Sequence, residues 1–290
     1  MIVGCTGNYR KPEYLNIINY IIESFNKIDS TVKILVSSDI EAKYNKSDLN
    51  LNIIEFDELI KKSNIIIAIG GDGTILSTCR RMNKSCKPIF GIHLGGLGFL
   101  SQVKIDDIYN SMNDIVKSNF KIEKRNLLEV IINDENKKQK YNCLNDIVID
   151  HGSSGRVLKS KVMAGNRLIN IFESDGVIFS TATGSTAYSL SAGGPIIYPT
   201  LDTISIVPIC PLSLSARAIV IPNDDIIKVS FVDNYHGLSC TIDGQVRFET
   251  SGKSKIRIKQ SDFMIQMISF PRNNYYRTLR SKMNWVGKLR

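Results

Sequence analysis

Residues 65–74 read Ile65-Ile66-Ile67-Ala68-Ile69-Gly70-Gly71-Asp72-Gly73-Thr74, and the fold turns on how this stretch is read. A run of five apolar residues, four of them isoleucine, cannot alternate between core and water. It predicts a strand buried on both faces, as in a parallel sheet covered by helices. The run ends in three glycines around one carboxylate. Glycines let the chain turn sharply and bring main-chain N–H groups close to a phosphate, and Thr74 is placed to cap the helix that follows. Open α/β sheets bind ligands at the carboxyl ends of their strands, which puts Asp72 at the mouth of such a crevice. The spacing is neither that of a Walker loop nor that of G-x-G-x-x-G, so a different way of holding phosphate is implied.

The flanking segments extend the pattern. Residues 2–5, 32–36 and 88–92 predict further strands, the last running into Gly95-Gly96-Leu97-Gly98. Tyr14, Ile17, Ile18, Ile21, Ile22 and Phe25 recur at helical spacing and predict a helix with one apolar face. Beyond about residue 120 the texture changes to short apolar runs separated by turn residues, at 128–132, 162–164, 168–172, 177–180, 204–209, 218–221, 226–232 and 239–242. Asn133-Asp134-Glu135-Asn136 predicts a hairpin turn. The expectation is an α/β N-terminal domain with a Rossmann-like parallel sheet over residues 1–120 and a mostly β C-terminal domain over 121–269. The charged tail 270–290 has no strand pattern, and its two tyrosines and Trp285 predict that it docks.

The chain has 290 residues, 43% apolar and 22% charged, which excludes fibrous, coiled-coil and low-complexity classes. Lysine and arginine number 37 against 28 acidic residues, a field that favours anionic partners such as nucleotides. The basic residues are scattered, and the densest group, Lys137, Lys138 and Lys140, is offset by Asp134 and Glu135, so no nucleic-acid stripe is expected. Six cysteines lie far apart with no C-x-x-C pair, the pattern of reduced, buried thiols in a cytoplasmic protein. Met1-Ile2-Val3-Gly4-Cys5 lacks the basic and apolar regions of a secretory signal. The long uncharged run 176–201 is too rich in Ser, Thr, Gly and Pro for a lipid-spanning helix, so no membrane partner is expected.

A second signal follows Asp175-Gly176: Thr183-Gly184-Ser185-Thr186-Ala187-Tyr188-Ser189-Leu190-Ser191-Ala192-Gly193-Gly194-Pro195. Its density of hydroxyls and small side chains predicts a polar, closely approachable surface. Asn145-Asp146 stands just before an apolar run at 147–149.

With these pieces in this order, together with Leu97-Gly98-Phe99-Leu100, Asp243-Gly244-Gln245 and Arg280-Ser281-Lys282-Met283-Asn284-Trp285, the sequence resembles the NAD kinases over most of its length. The resemblance implies a two-domain kinase of the diacylglycerol kinase/NAD kinase type, with its active site between the domains. The implied reaction passes the γ-phosphate of ATP, or of polyphosphate, to the 2′-hydroxyl of the adenosine ribose of NAD. Asp72 would accept the hydroxyl proton, and Gly70, Gly71, Gly73 and Thr74 would hold phosphates. Asn145 and Asp146 would hold the adenosine half of NAD. Thr186, Ala187, Tyr188, Ser189, Leu190 and Ser191 would line the dinucleotide pocket, with Arg156, Asp175 and Gln245 completing it. Magnesium or another divalent cation would accompany the phosphates, with no protein ligand named. A homo-oligomer, dimer or tetramer, and a tail packed on the first domain are also implied. His93, Glu173 and Leu212 depart from the family's usual residues. The alternatives are a diacylglycerol-type lipid kinase, which needs an apolar acceptor pocket, and a non-catalytic NAD(P) sensor, which needs no base at Asp72.

Overall fold

The computed structural model describes residues 1–45, 49–134 and 137–285. Glu135 and Asn136 of the expected hairpin turn, and the last five residues of the tail, lie outside the described residues. By its contacts the chain divides into two units: Met1–Lys124 together with the chain from Ile265 on, and Arg125–Met264.

The first unit begins β1 (Ile2–Gly7), α1 (Tyr14–Ile28), β2 (Lys33–Ser37), β3 (Ile53–Ile54), α2 (Phe56–Lys62), β4 (Ile65–Ile69), α3 (Asp72–Met82), β5 (Ile89–Ile92), α4 (Ile108–Val116) and β6 (Lys121–Arg125). The second unit holds β7 (Leu128–Asp134), β8 (Lys137–Cys143), β9 (Asp146–Asp150), β10 (Leu158–Ala164), β11 (Arg167–Ser174), β12 (Gly176–Thr181) and α5 (Tyr188–Ser191). It continues through β13 (Thr203–Ile209), β14 (Ile219–Pro222), β15 (Ile227–Phe231), β16 (Leu238–Ile242), β17 (Val246–Thr250) and β18 (Lys255–Gln260). The chain then returns to the first unit with β19 (Ile265–Ser269) and α6 (Tyr275–Lys282).

The sheet of the first unit has the order β3-β2-β1-β4-β5-β19-β6. All five residues of β4 are buried, as an all-apolar strand between two helical layers requires. Helix α1 buries Tyr14, Ile17, Ile18, Ile21 and Phe25 in one cluster with strand residues such as Val3, Val36 and Ile67, while Ile22 sits at its half-buried margin. Strand β1 pairs in parallel with β2 on one side and β4 on the other. The order of winding therefore reverses at β1, and the carboxyl ends of β1 and β4 flank the place where such sheets open a crevice. Gly7 closes β1 there at φ 153°, where an added Cβ would strike the Ile69 carbonyl of β4.

Strand β19 falls within the segment that the sequence reading gives to the second domain, yet it pairs with β5 through Met267 and Ile89. It is one more short, largely apolar run like those before it, and such a run does not reveal which sheet a strand joins. The following residues fasten the tail to the same unit. Phe270 meets Phe90 edge-on at 5.2 Å, and Arg272 donates to Asp114 at 2.6 Å and to Ser111 at 2.9 Å. Helix α6 buries Leu279 and Thr278. Tyr276 and Trp285, expected to anchor the tail, are instead exposed.

The second unit is two antiparallel six-stranded sheets, β11-β10-β15-β18-β7-β8 and β14-β13-β12-β9-β16-β17. Their facing residues form one core, with Val130, Val162, Val229 and Ile256 from the first and Ile147, Phe179, Ile206 and Ile242 from the second. Four cysteines are buried, Cys86 is half-buried and Cys210 is exposed, so the expectation of buried thiols fails at Cys210. Burial pushes the Cys5 and Cys240 thiols up to about 12, which keeps them protonated. Among the described residues no helix is long and apolar enough to cross a membrane.

Phe270 is 2% exposed and sits beyond the last strand of the sheet. Phe270→Ala is expected to destabilise the first unit by about 3–5 kcal/mol, read as a lower urea midpoint with an unchanged m-value. A midpoint equal to wild type would show that the tail adds nothing to that core.

Candidate functional site

Helix α3 begins at Asp72 itself, directly after β4 and the Gly70-Gly71 turn. The helix N-cap is Gly71, which offers no side chain, so Thr74 does not cap the helix as expected. Thr74 lies in the first turn, and its side chain fills the space a Cβ on Gly70 would take. Nothing approaches the corresponding position on Gly71, so that main chain is open to a close ligand.

The Asp72 carboxylate is fully engaged. Oδ2 accepts from the Phe99 N–H at 2.8 Å, and Oδ1 accepts from the N–H groups of Leu100 and Ser101 at 3.1 and 2.9 Å and from the Ser101 hydroxyl at 2.9 Å. Three of the four donors are main-chain, so one side chain dictates the path of residues 99–101. Gly98 makes this possible, because a Cβ there would land on Asp72 Oδ1. His93, at the end of β5, is 8% exposed, and its Nδ1 lies 2.7 Å from the Gly95 carbonyl oxygen. A carbonyl only accepts, so Nδ1 carries a proton.

Beside α3, at the carboxyl end of β1, lies a hollow of about 430 Å³. It is lined by residues 6–10, by Asp39 and by Gly73, Thr74, Ser77, Thr78 and Arg81 of α3. The first turn of a helix and two guanidinium groups, Arg10 and Arg81, suit this hollow to phosphate oxygens. Arg81 is held rigidly: it stacks 3.6 Å from the Phe56 ring and donates to both oxygens of Asp39 at 2.6 and 3.2 Å. Burial opposes charge on Asp39, but hydrogen bonds from Arg81 and Ser37 outweigh it and hold the carboxyl below its ordinary range. Asn8, Tyr9, Arg10 and Arg81 were not singled out by the sequence reading. The one signal for them was position, since residues 8–10 directly follow a strand.

In the second unit a hollow of about 230 Å³ brings together Asn145, Asp146, Ala187, Tyr188, Asp243 and Gly244. Asp243, at φ 50° in the β16–β17 turn, accepts from the N–H groups of Leu144, Asn145 and Asp146 at 3.1, 2.7 and 3.2 Å. Gly184 packs so closely on Asn145 that a Cβ would strike the Asn145 carbonyl, which ties the hydroxyl-rich segment to the Asn145-Asp146 turn.

Within that segment the hydroxyls face inward more than the sequence reading expects. Ser185 is fully buried, donating to the Ala182 carbonyl and accepting from the Ile197 N–H. Ser189, a predicted pocket residue, is equally buried against Ser205 at 3.3 Å. Ser185 satisfies the main chain of a tight turn that has few strand or helix bonds of its own, while Ser189 meets another buried hydroxyl. Thr186, Leu190 and Ser191 do not line the hollow, and neither do Arg156, Asp175 and Gln245. Arg156 is exposed, Asp175 sits at the start of β12 with its N–H on the Ile209 carbonyl, and Gln245 is exposed beside Gly244. Glu173 pairs with Lys159 at 3.5 Å, and Leu212 is exposed.

Burial, and then the neighbouring Asp243 carboxylate, push Asp146 up to about 7. An unfolded aspartate titrates near about 4, so the folded chain holds this proton more tightly. The stability it contributes is full below about pH 4 and is lost as pH rises to about 7. Asp146→Asn, which is neutral throughout, is expected to flatten the fall of the unfolding midpoint across that window. Parallel wild-type and variant profiles would overturn the assignment.

Comparison with known proteins shows the family of the chain. The ATP-NAD kinase N-terminal domain family matches residues 24–120 and the ATP-NAD kinase C-terminal domain family matches residues 144–270. The chain is 36% identical over 286 residues to an NAD kinase of Clostridium kluyveri, covering 99% of this chain and 96% of that one. It is 39% identical over 227 residues to an NAD kinase of Thermoanaerobacter pseudethanolicus, covering 78% and 80%. Its fold matches that of yeast NADH kinase complexed with NADH at a TM-score of 0.90 and 23% identity, over 100% of this chain and 89% of that one. It also matches an NAD kinase from Archaeoglobus fulgidus in complex with ATP at a TM-score of 0.76 and 22% identity, over 99% and 100%. With both halves matched and relatives above one-third identity over nearly the whole chain, the protein belongs to the NAD kinase family.

Proposed function

We propose that the chain transfers the γ-phosphoryl group of ATP to the 2′-hydroxyl of the adenosine ribose of NAD, forming NADP. The observation that carries this reading is the carboxylate of Asp72, held in one position at the carboxyl edge of the sheet, beside an open glycine turn and a cationic hollow.

Phosphoryl transfer passes through a loose transition state, so positioning and charge supply most of the acceleration. In this reading the hollow lined by Arg10, Gly73, Thr74 and Arg81 takes the triphosphate, whether its source is ATP or polyphosphate. The hollow lined by Asn145, Asp146, Ala187 and Tyr188 takes the adenosine half of NAD. Asp72 accepts the proton of the 2′-hydroxyl as that oxygen bonds to the γ-phosphorus and the bond to the leaving diphosphate breaks. Of its four donors, only the Ser101 hydroxyl can rotate away, and it is the one that yields to the ribose hydroxyl. The three N–H groups remain and keep the carboxylate aimed. Asp146, protonated up to about pH 7 by burial beside Asp243, can donate as well as accept a hydrogen bond toward a ribose.

Among the described residues no three His, Cys, Asp or Glu side chains form a metal cluster. A magnesium ion accompanying the triphosphate would be held largely by phosphate oxygens and water, and Asp39 is the carboxylate that lines the hollow. Such an ion, when bound, neutralises charge on the phosphates. The exposed apolar side chains Leu212, Leu214, Ile219 and Val220 support assembly into a dimer or tetramer. Free thiols and the nucleotide substrates support a cytoplasmic setting.

The test is formation of NADP from NAD with magnesium-ATP, coupled to an NADP-specific dehydrogenase. Wild type should turn over, and Asp72→Asn should lose about 10²- to 10⁴-fold in kcat with a much smaller change in KM for NAD. Equal kcat in the variant would overturn the role of Asp72. Absence of product with both ATP and polyphosphate would overturn the reaction. Arg10→Gln is expected to raise KM for ATP by about tenfold while leaving KM for NAD unchanged, the loss of one charge-assisted contact. A variant with unaltered KM for ATP would remove the triphosphate from that hollow.

A further inference from the structure

The first unit carries another hollow, of about 460 Å³, which shares no lining residue with the two already described. Its chemistry comes from Lys104, Arg272 and Arg277, set against the one carboxylate of Asp107, with Leu97 and Gln102 completing one wall. Arg272 is committed to Asp114 and Ser111. Lys104 and Arg277 are exposed, and neither has an ion-pair partner among the described residues. The hollow therefore presents two cations with uncommitted charge, on an ammonium and a planar guanidinium, which together suit the oxygens of a phosphate.

The wall has a second property. Leu97 and Gln102 bracket Phe99, Leu100 and Ser101, whose N–H groups hold the Asp72 carboxylate. The Gln102 amide also donates to the Phe99 carbonyl at 3.1 Å, so this side chain touches both the hollow and the loop. A molecule seated against Leu97 and Gln102 acts on the same few residues that aim Asp72.

We propose that this hollow is an effector site for a small phosphate-bearing anion, held by Lys104 and Arg277, whose occupancy changes the reaction rate through the loop 97–102. The binding half stands independently of the kinase reading, while the effect on rate rests on it.

The probe is inorganic pyrophosphate. Equilibrium dialysis of labelled pyrophosphate is made against the full chain with the triphosphate hollow saturated by ATP and excess magnesium. Wild type is expected to bind, and Lys104→Gln/Arg277→Gln is expected to bind at least about tenfold more weakly, whereas Lys104→Arg/Arg277→Lys keeps its affinity. All four substitutions lie at exposed positions, so both double variants should fold. In the NADP assay at saturating ATP and NAD, pyrophosphate should change kcat of wild type and not that of the Gln double variant, whose rate without pyrophosphate matches wild type. Equal affinity in the Gln double variant overturns the site. A wild-type response abolished by raising ATP overturns the effector role, because it marks competition at the triphosphate hollow. If the chain makes no NADP, the dialysis still decides the binding half.

Discussion

One carboxylate organises the carboxyl edge of the sheet in the first unit. Residues 98–101 make one main-chain hydrogen bond of their own, from the Gly98 N–H to the Ser101 carbonyl at 3.2 Å, and Asp72 supplies acceptors for the next three consecutive N–H groups. Hydrogen bonds to a charged acceptor contribute roughly 1.5–3 kcal/mol each, enough to choose one loop conformation among many. The same bonds leave the carboxylate little freedom to rotate. The loop is ordered by the carboxylate and the carboxylate is aimed by the loop, and Gly98 is required because any side chain there would occupy the oxygen's place. The residue proposed as the base is thus also the structural centre of its own surroundings.

The second unit repeats this solution with different parts. Asp243, in a left-handed turn between two strands, gathers the N–H groups of residues 144–146 and so presents Asn145 and Asp146. Here the cost is electrostatic rather than steric, because two carboxyl groups are buried next to each other. The protein meets that cost by keeping Asp146 protonated up to about pH 7. The result is a side chain able to donate a hydrogen bond in a place where an ionised carboxylate could only accept.

The hydroxyl-rich segment shows how composition can mislead. Its serines and threonines look like a binding surface, yet Ser185 and Ser189 are spent on internal bonds. Small residues are needed because the turn packs directly on the Asn145 main chain. Its contribution to the hollow comes from Ala187 and the exposed Tyr188 and from none of its serines or threonines.

The sequence by itself determined the strand β4 with its glycine turn, the helix α1 and the change of texture near residue 120, and it marked residues 72, 145 and 146 as candidates. Each of these is a local pattern: an apolar run, a 3.6-residue period, a turn signal, or a motif whose order along the chain is its signature. Tertiary structure alone decided that β19 joins the first sheet, that Asp72 is bonded to residues 99–101, that Asp243 holds residues 144–146, and which hydroxyls face inward. The first three of those facts depend on partners 27 to 178 positions away. A strand's period names the face it buries and not its neighbour, and a carboxylate's hydrogen bonds go to whichever main-chain donors folding delivers to it.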